Sequence, residues 1–287
     1  MKEVDDNVRK PCIIPVPFEE GCYWRKGTKM GPNSVLDFLK DMREYSIDEG
    51  QLLPWNIASM IEEPIMINPY SKTESLDNIY NTALKVWSAK NKIPIFLGGD
   101  HSITYPIIKA YTDLFHRQIC IIQFDAHSDT YEAVGGYVYH HGATFKNIVE
   151  KANIQGKNIY QLGIRGFVRG DSYENAEKLG INVIPMSKID EKGCELGQFD
   201  FPEDMDYYVS FDIDSLDPAY APGTGTPVPG GFTSREIFRC IGQLKKYNII
   251  GMDLVEVAPV YDNQNITSLL AAHIVAKFLT VLNKGDI

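Results

Sequence analysis

Short apolar runs, each nearly continuous and rich in Ile, Val, Phe and Tyr, recur along the 287-residue chain. Runs of this kind, without alternation of polar and apolar positions, are typical of β-strands that are buried on both faces of a sheet. The pattern predicts strands at 12–16, 94–97, 119–124, 159–164, 183–186, 207–211 and 249–255.

Stretches with the helical spacing of apolar residues lie between these runs. They predict helices at 75–89, 103–115, 172–179, 234–246 and 267–282. Strands that alternate with helices indicate a parallel sheet covered by helices on both faces. We therefore predict a single α/β domain over residues 1–287, with three layers in the order α/β/α and a mostly parallel sheet of about eight strands.

Composition agrees with one large domain. Hydrophobic residues make up 44% of the chain and charged residues 23%, which is enough to bury a substantial core. No linker rich in Gly, Ser or Pro and no sustained charge block divides the chain. The first residues lack the long apolar segment of a secretory signal, and no uncharged apolar stretch of about 18 residues follows. These features predict a cytoplasmic protein without a membrane partner.

Net charge indicates which kind of ligand to expect, and cysteine usage indicates the redox compartment. The formal net charge is −10 at pH 7, which disfavours nucleic acid and mildly favours a cationic ligand. The five cysteines are odd in number, widely scattered, and never form a Cys-x-x-Cys pair. This usage is typical of a protein in a reducing compartment.

Polar side chains directly follow four of the predicted strands. In open α/β sheets, ligands bind beyond the carboxyl ends of the strands, so these positions are candidates for chemistry. In Asp125-Ala-His127-Ser-Asp129, alternate side chains of an extended segment project to one side. The candidate residues are Asp100, His101, Asp125, His127, Asp129, Asp212, Asp214 and Glu256.

Divalent metal ions would balance these charges. An isolated acidic triplet is often only a solvated turn or a helix cap, but several carboxylates gathered at buried strand ends repel one another and need compensating cations. Lys and Arg are absent from these motifs, and carboxylates with imidazoles suit manganese. An EF-hand is excluded because Asp217 occupies the position of its invariant glycine. Two divalent ions and a bridging hydroxide would leave a small negative charge for a guanidinium cation.

Four longer segments resemble, in order and spacing, the signature segments of the ureohydrolase family of arginases and agmatinases. They are FLGGDHSIT, IIQFDAHSDTY, VSFDIDSLDPAYAPGTGTPVPGG and GMDLVEVAPVYDNQNITSLLAA. The segments PVPFEEG and KMGPNSV extend the resemblance upstream, so that it covers nearly the whole chain from Cys12. The resemblance implies an arginase-like α/β fold with two Mn²⁺ per subunit, and assembly into a homotrimer or homohexamer.

The resemblance also assigns the metal ligands. It implies that one ion is held by His101, Asp125, Asp129 and Asp212. The other ion would be held by Asp125, His127, Asp212 and Asp214. Asp125 and Asp212 would therefore bridge the two ions.

Three residues are expected to act on the substrate. By the resemblance, Glu256 pairs with the guanidinium group through bidentate bonds, and His141 lies at the pocket and gives a proton to the leaving amine. Asp129 is expected to orient the attacking hydroxide. Two alternatives stay open: that the neighbouring His140 is the functional imidazole, and that Glu256 is only a surface acid.

The functional hypothesis is hydrolysis of agmatine to putrescine and urea by a hydroxide that bridges two manganese ions. The loop at 130–140 and the segment EVAPVYDNQNITSLLAA resemble agmatinases more than arginases. One alternative is hydrolysis of another guanidino compound: guanidinobutyrate, guanidinopropionate or arginine. The others are a related amide deacetylase with a single zinc ion and an inactive family member that binds polyamines or a partner protein.

Overall fold

The computed structural model describes residues 9–53, 56–192 and 194–282, so residues 1–8 and 283–287 of the predicted domain lie outside it. Its strands are β1 (Lys10–Val16), β2 (Tyr45–Ser46), β3 (Gln51–Leu52), β4 (Lys92–Gly98), β5 (Cys120–Phe124), β6 (Ile159–Ile164), β7 (Asn182–Pro185), β8 (Asp206–Asp212) and β9 (Asn248–Val255). Seven of them form one sheet in the order β1-β4-β9-β8-β5-β6-β7. Every neighbouring pair in this sheet is parallel.

The sheet has seven strands, where the sequence predicts about eight. Each of the seven predicted runs is a strand of this sheet, although the run at 183–186 ends one residue early because Met186 begins a helix. The remaining strands, β2 and β3, pair only with each other, in an antiparallel manner. Each is two residues long and partly or fully exposed, so neither could replace a strand that is buried between two helical layers.

Eight α-helices are present in the described part of the chain: α1 (Gly31–Lys40), α2 (Lys72–Ser88), α3 (Thr104–Phe115), α4 (Thr144–Lys151), α5 (Gly170–Lys178), α6 (Met186–Lys192), α7 (Ser234–Gln243) and α8 (Ile266–Leu282). The five predicted helices are all found, near the predicted residues. Helices α1, α4 and α6 were not predicted. The last two are only about two turns long, so helical periodicity hardly shows in them. Helix α1 begins with Gly31-Pro32, a pair that usually signals a turn, although proline is also favoured in the first helical turn.

The helices cover the sheet in two layers. Helices α1, α6, α7 and α8 pack on one face, and α2, α3, α4 and α5 pack on the other. Strand residues alternate between the two cores, since Ile13 lies in the first core and Cys12 and Ile14 lie in the second. This is the predicted three-layer α/β/α arrangement. Burial of both sheet faces explains why the apolar runs show no alternation.

Helix α8 is long and apolar enough to span a membrane by length and composition alone. The stretch Asn263–Leu282 has a mean hydropathy of 1.6, and 61% of its most apolar window is buried inside the fold. Ala271, Ala272 and Phe278 are fully buried in the core. The place of α8 in the core therefore accounts for its apolar composition.

A glycine permits the close crossing of two chain segments where β4 ends. A Cβ atom on Gly99 would lie 1.7 Å from the carbonyl oxygen of Phe18. The backbone N–H of Gly99 donates to the carbonyl of Val16 at 2.9 Å, and that of Asp100 donates to the carbonyl of Phe18 at 2.8 Å. The loop after β1 is thereby fixed across the end of β4, directly beside His101.

Candidate metal centre

The carboxyl ends of four adjacent strands meet at one edge of the sheet. In spatial order these strands are β4, β9, β8 and β5, and each is followed by or ends in polar residues singled out in the sequence. Parallel pairing alone therefore gathers these side chains. The buried ones are Asp100, His101, Asp125, Asp129, Asp212, Asp214 and Glu256. His141, which lies just before α4 and follows none of these strands, is also buried. His127 is half-buried, with 21% of its side chain exposed.

His101 lies among three carboxylates. Its Nδ1 atom is 3.1 Å from Oδ2 of Asp125, 3.1 Å from Oδ2 of Asp129 and 3.2 Å from Oδ2 of Asp212. The donor atoms of His101, Asp125 and Asp212 all lie within 4.8 Å of one another. The structure thus brings together the four residues that the resemblance assigns to the first ion.

A second group of donors forms around His127. Its Nδ1 atom is 3.0 Å from Oδ2 of Asp214 and 3.6 Å from Oδ1 of Asp125. Asp125 therefore presents one oxygen to each group, as a bridging ligand must. Asp212 presents Oδ2 to the first group, while its Oδ1 accepts a hydrogen bond from the backbone N–H of Asp214 at 2.8 Å. Its role as a second bridge stays a prediction.

The donor set fits divalent metal ions. Metal–oxygen bonds of about 2.1 Å at right angles would separate neighbouring ligand atoms by about 3 Å, close to the contacts around His101. Burial and then repulsion by Asp125 raise the pKa of Asp129 to about 6. Burial and repulsion by two other aspartates raise the pKa of Asp212 well above its usual range. Within the described residues, no Lys or Arg forms an ion pair with these acids, and their only cationic partners are the rings of His101 and His127, whose pKa values the acids raise well above the usual range. Bound divalent cations would stabilise the ionised carboxylates and leave both imidazoles neutral as ligands.

A buried relay of hydrogen bonds orients His101, and it was not predicted from the sequence. The Nε2 atom of His101 lies 2.9 Å from the hydroxyl of Ser210, which donates to Oδ1 of Asp253 at 2.8 Å. Asp253 also accepts hydrogen bonds from Tyr208 and Thr104, each at 2.9 Å. A partner of this kind fixes the ring so that Nδ1 faces the carboxylates. The sequence did contain one indication of this relay: Ser210 and Asp253 are polar residues inside strands that are otherwise largely apolar.

Substituting Ser210 by alanine is expected to weaken manganese binding by about 10- to 100-fold, because the imidazole of His101 loses the group that orients it. The measurement is equilibrium dialysis against Mn²⁺ followed by metal analysis. Ser75→Ala serves as the matched control, since Ser75 is also fully buried but lies in α2 away from the carboxylates. An unchanged manganese affinity in the Ser210 variant would show that the relay plays no part in metal binding.

Further unpredicted residues hold the aspartate-bearing loops. Gln123 donates to Oδ2 of Asp125 at 2.6 Å. Thr226 donates to Oδ2 of Asp214 at 3.1 Å. The guanidinium of Arg165 donates to the backbone carbonyl of Asp214 at 2.7 Å and to carbonyls of the residues that follow it. Arg165 therefore fixes the loop after β8 through its backbone and leaves the carboxylates free.

Glu256 lies at the edge of the metal centre. It is 1% exposed, which rules out the alternative of a surface acid. Its Oε1 atom accepts hydrogen bonds from the backbone N–H of His101 and from Nδ1 of His141, both at 2.9 Å. Its Oε2 atom is buried and has no hydrogen-bond partner within the described residues. This oxygen is suited to bind a cationic ligand.

The two adjacent histidines take different positions. His141 contacts Glu256, and although burial opposes it, the charge of Glu256 raises the pKa of His141 to about 9. His140 turns away, with its Nε2 atom 3.0 Å from the backbone carbonyl of Glu132. Burial lowers the pKa of His140, so it is neutral at pH 7. The geometry therefore places His141, and not His140, at the candidate site.

Two acids of the site have left-handed backbone conformations. The φ angle is 50° at Asp129 and 65° at Glu256, in the region that favours glycine. The carbonyl of Asp129 accepts a hydrogen bond from the N–H of Phe145 at 3.0 Å. The N–H of Glu256 donates to the carbonyl of Gly99 at 2.8 Å. These bonds to neighbouring segments hold both carboxylates in place.

The sequence profile of the arginase family matches residues 9–280. Proclavaminate amidinohydrolase from Streptomyces clavuligerus is 34% identical to the chain, over 93% of this chain and 86% of that protein. The mitochondrial agmatinase of Gallus gallus is also 34% identical, over 94% of this chain and 80% of that protein. Among solved structures, formimidoylglutamase from Bacillus subtilis subsp. subtilis str. 168 superposes with a TM-score of 0.87 at 27% identity, covering 98% of this chain and 89% of that one.

These relatives carry the names of different substrates, so they identify a reaction class and leave the substrate open. The arginase family consists of binuclear metal enzymes, in agreement with the two groups of Asp and His donors that share Asp125. The extent of the profile match and the identity of the relatives lead to one conclusion: the chain is a ureohydrolase that belongs to the arginase family.

Proposed function

We propose that the protein hydrolyses agmatine to putrescine and urea with two Mn²⁺ ions bound. The observation that carries the proposal is the placement of Glu256 at the edge of the metal centre, next to His101. It is a buried carboxylate that contacts His141 and the backbone of His101, and one of its oxygens has no partner within the described residues. Such a group can bind the planar guanidinium of a substrate through paired hydrogen bonds.

The choice of manganese rests on the donors. Carboxylate oxygens suit hard divalent ions and imidazole nitrogens suit transition metals, so a mixed set favours Mn²⁺. Among the described residues, no cysteine belongs to either group. Two such ions lower the pKa of a shared water towards neutrality and so supply a nucleophile. The residues that would hold them are His101, Asp125, His127, Asp129, Asp212 and Asp214.

Three side chains would then act on the substrate. Glu256 orients the guanidinium so that its carbon faces the metal centre. With a pKa of about 9, His141 is protonated at pH 7 and can give a proton to the amine that leaves as putrescine. Asp129 can accept a hydrogen bond from the attacking water and direct it. Burial of these groups strengthens each electrostatic interaction.

An aromatic mouth suits the alkyl chain and the second cation of agmatine. The ring centroid of Tyr23 lies 4.7 Å from that of His141, and Tyr23 is 54% exposed. Tyr131 also borders the site, since a Cβ atom on Gly142 would lie 3.0 Å from its ring. Aromatic faces attract alkylammonium groups, by about 0.5–1 kcal/mol at exposed sites.

A guanidino acid is the second candidate substrate, and Arg25 is the observation that favours it. Its guanidinium stacks on the ring of Tyr261 at 3.9 Å and forms no ion pair with an acid of the described residues. Gly225 separates Arg25 from the site: a Cβ atom there would lie 3.1 Å from the Arg25 carbonyl and 4.0 Å from Oε2 of Glu256. The backbone of Arg25 therefore lies near the site, and its unpaired guanidinium could bind the carboxylate of a guanidino acid.

The test is urea release by the purified, manganese-loaded protein with agmatine, arginine and guanidinobutyrate in parallel, each with an EDTA-treated control. The proposal requires metal-dependent turnover with the highest kcat/KM on agmatine. Preference for guanidinobutyrate, lost in an Arg25→Ala variant, would establish the second candidate. No urea from any of the three substrates would contradict both.

A further inference from the structure

A basic cavity lies at the amino ends of β4, β8 and β9, the opposite end of the sheet from the metal centre. Its volume is about 410 Å³, within the usual range for small-molecule sites. The turn after α2 and the carboxyl end of α3 form its sides, with Lys90 on the first and Phe115 on the second. No residue of the metal centre lines it, so it is independent of the proposed function.

Basic side chains dominate the rim of this cavity, in a chain whose net charge is −10. The lining residues include four cations and one acid, Asp206. The cations are Arg9, Lys90, Lys92 and Arg117. Arg117 already pairs with Asp206 at 2.6 Å. The acid is therefore neutralised within the cavity, and the other three cations set the sign of the local potential.

Two of these cations lack acidic partners. Arg9 donates to the neutral amide of Asn248 at 2.9 Å, and Lys90 is exposed. Neither forms an ion pair with another described residue. Lys92 pairs with Glu62, but both side chains are exposed by more than a third, so solvent weakens this pair. Arginine and lysine together are the usual ligands of phosphate groups.

The inner wall of the cavity is apolar and aromatic. Trp87, Tyr111, Phe115 and Ile250 line it. The rings of Trp87 and Tyr111 meet edge to face at 5.1 Å, and the hydroxyl of Tyr111 is held by Arg117 at 2.9 Å. A ligand that fills the cavity would thus meet cations at the rim and a rigid apolar surface inside.

We propose that this cavity binds a small phosphate ester with a planar ring, of the size and chemistry of a nucleoside monophosphate. The phosphate would lie between Arg9 and Lys90, and the ring would lie against Trp87 and Phe115. The basic rim disfavours a cationic ligand in this cavity and favours an anionic one.

The test is calorimetric titration of AMP into the full, manganese-loaded chain and into two variants. Lys90→Glu reverses a charge at the rim. Lys157→Glu makes the same change at an exposed residue that precedes β6 on the same edge of the sheet but does not line the cavity. We expect one AMP per chain, weakened at least about tenfold in Lys90→Glu and unchanged in Lys157→Glu. Thermal unfolding shows whether each variant is folded.

Two further titrations separate the parts of the ligand. Inorganic phosphate is expected to bind more weakly than AMP and to compete with it, and adenosine is expected not to bind. Absence of saturable AMP binding by the unchanged protein would overturn the proposal. So would equal binding of adenosine, an unaltered affinity in Lys90→Glu, or an equal loss in both variants, since the last outcome would reflect only the overall charge.

Discussion

Substituting Asp125 by asparagine is expected to remove at least one metal ion and to lower the rate of urea formation by about 10³-fold or more. Asp125 presents one oxygen to the group around His101 and the other to the group around His127, so neither group is complete without its charge. Two divalent ions held by these residues would lower the pKa of an attacking water, so a protein that could not bind them would lack its nucleophile. The measurements are metal content per chain and urea release at saturating agmatine.

Asp217→Asn is the matched control for this variant. Asp217 lies in the loop after β8 but outside both groups of donors, and it accepts hydrogen bonds from the backbone of Ala219, Gly230 and Gly231. Its loss should lower stability slightly and leave the metal content unchanged. An Asp125 variant that retained two ions per chain and full turnover would refute the assignment of Asp125 as the shared ligand.

Glu256→Gln is expected to lower kcat/KM by about 10²- to 10³-fold while the metal content stays at the level of the unchanged protein. Truncating one partner of a buried charge pair costs roughly 2–5 kcal/mol, and each 1.4 kcal/mol is about tenfold. The glutamine oxygen can still accept the hydrogen bond from the backbone of His101, so the metal donors keep their geometry. Urea release and metal analysis on the same preparation check both parts.

The pH profile provides a second readout for Glu256→Gln. The charge of Glu256 raises the pKa of His141 to about 9, so the protonated form persists up to that pH. Without this charge the pKa of His141 falls, and activity that needs the protonated ring is lost at a lower pH. Glu132→Gln, at an exposed acid that pairs with Lys146, should change neither the profile nor the rate. A Glu256 variant that lost its metal would indicate a purely structural role.

The strands and the strand ends were predictable because burial on both faces leaves a plain signal in the sequence. The order of the strands was not, since β9 lies between β4 and β8 although the chain reaches it last. Nothing local in the sequence of β9 specifies these neighbours. The convergence of Asp125, Asp212 and Glu256 was still predictable, because parallel strands bring their carboxyl ends to one edge in any order.

The supporting residues and the choice between adjacent histidines depend on tertiary contacts. Ser210 and Asp253 are polar residues on buried strands, and a sequence does not show which layer such a side chain faces. The sequence likewise could not distinguish His140 from His141. Their positions depend on the backbone bonds of this segment, such as that from the N–H of His141 to the carbonyl of Gly21. Such long-range contacts are visible only once the chain is folded.

The left-handed backbone at Asp129 and Glu256 lowers the folding stability that this enzyme can reach. A non-glycine residue in that conformation costs roughly 1–3 kcal/mol, against a typical folding free energy of about 5–15 kcal/mol. Glycine at either position would relax the chain but would delete a carboxylate to which the proposed reaction assigns a role. At these two points the chain thus keeps a strained backbone together with a carboxylate at the metal centre. Efforts to make the protein more heat-resistant should leave both unchanged and work on the outer helical layers.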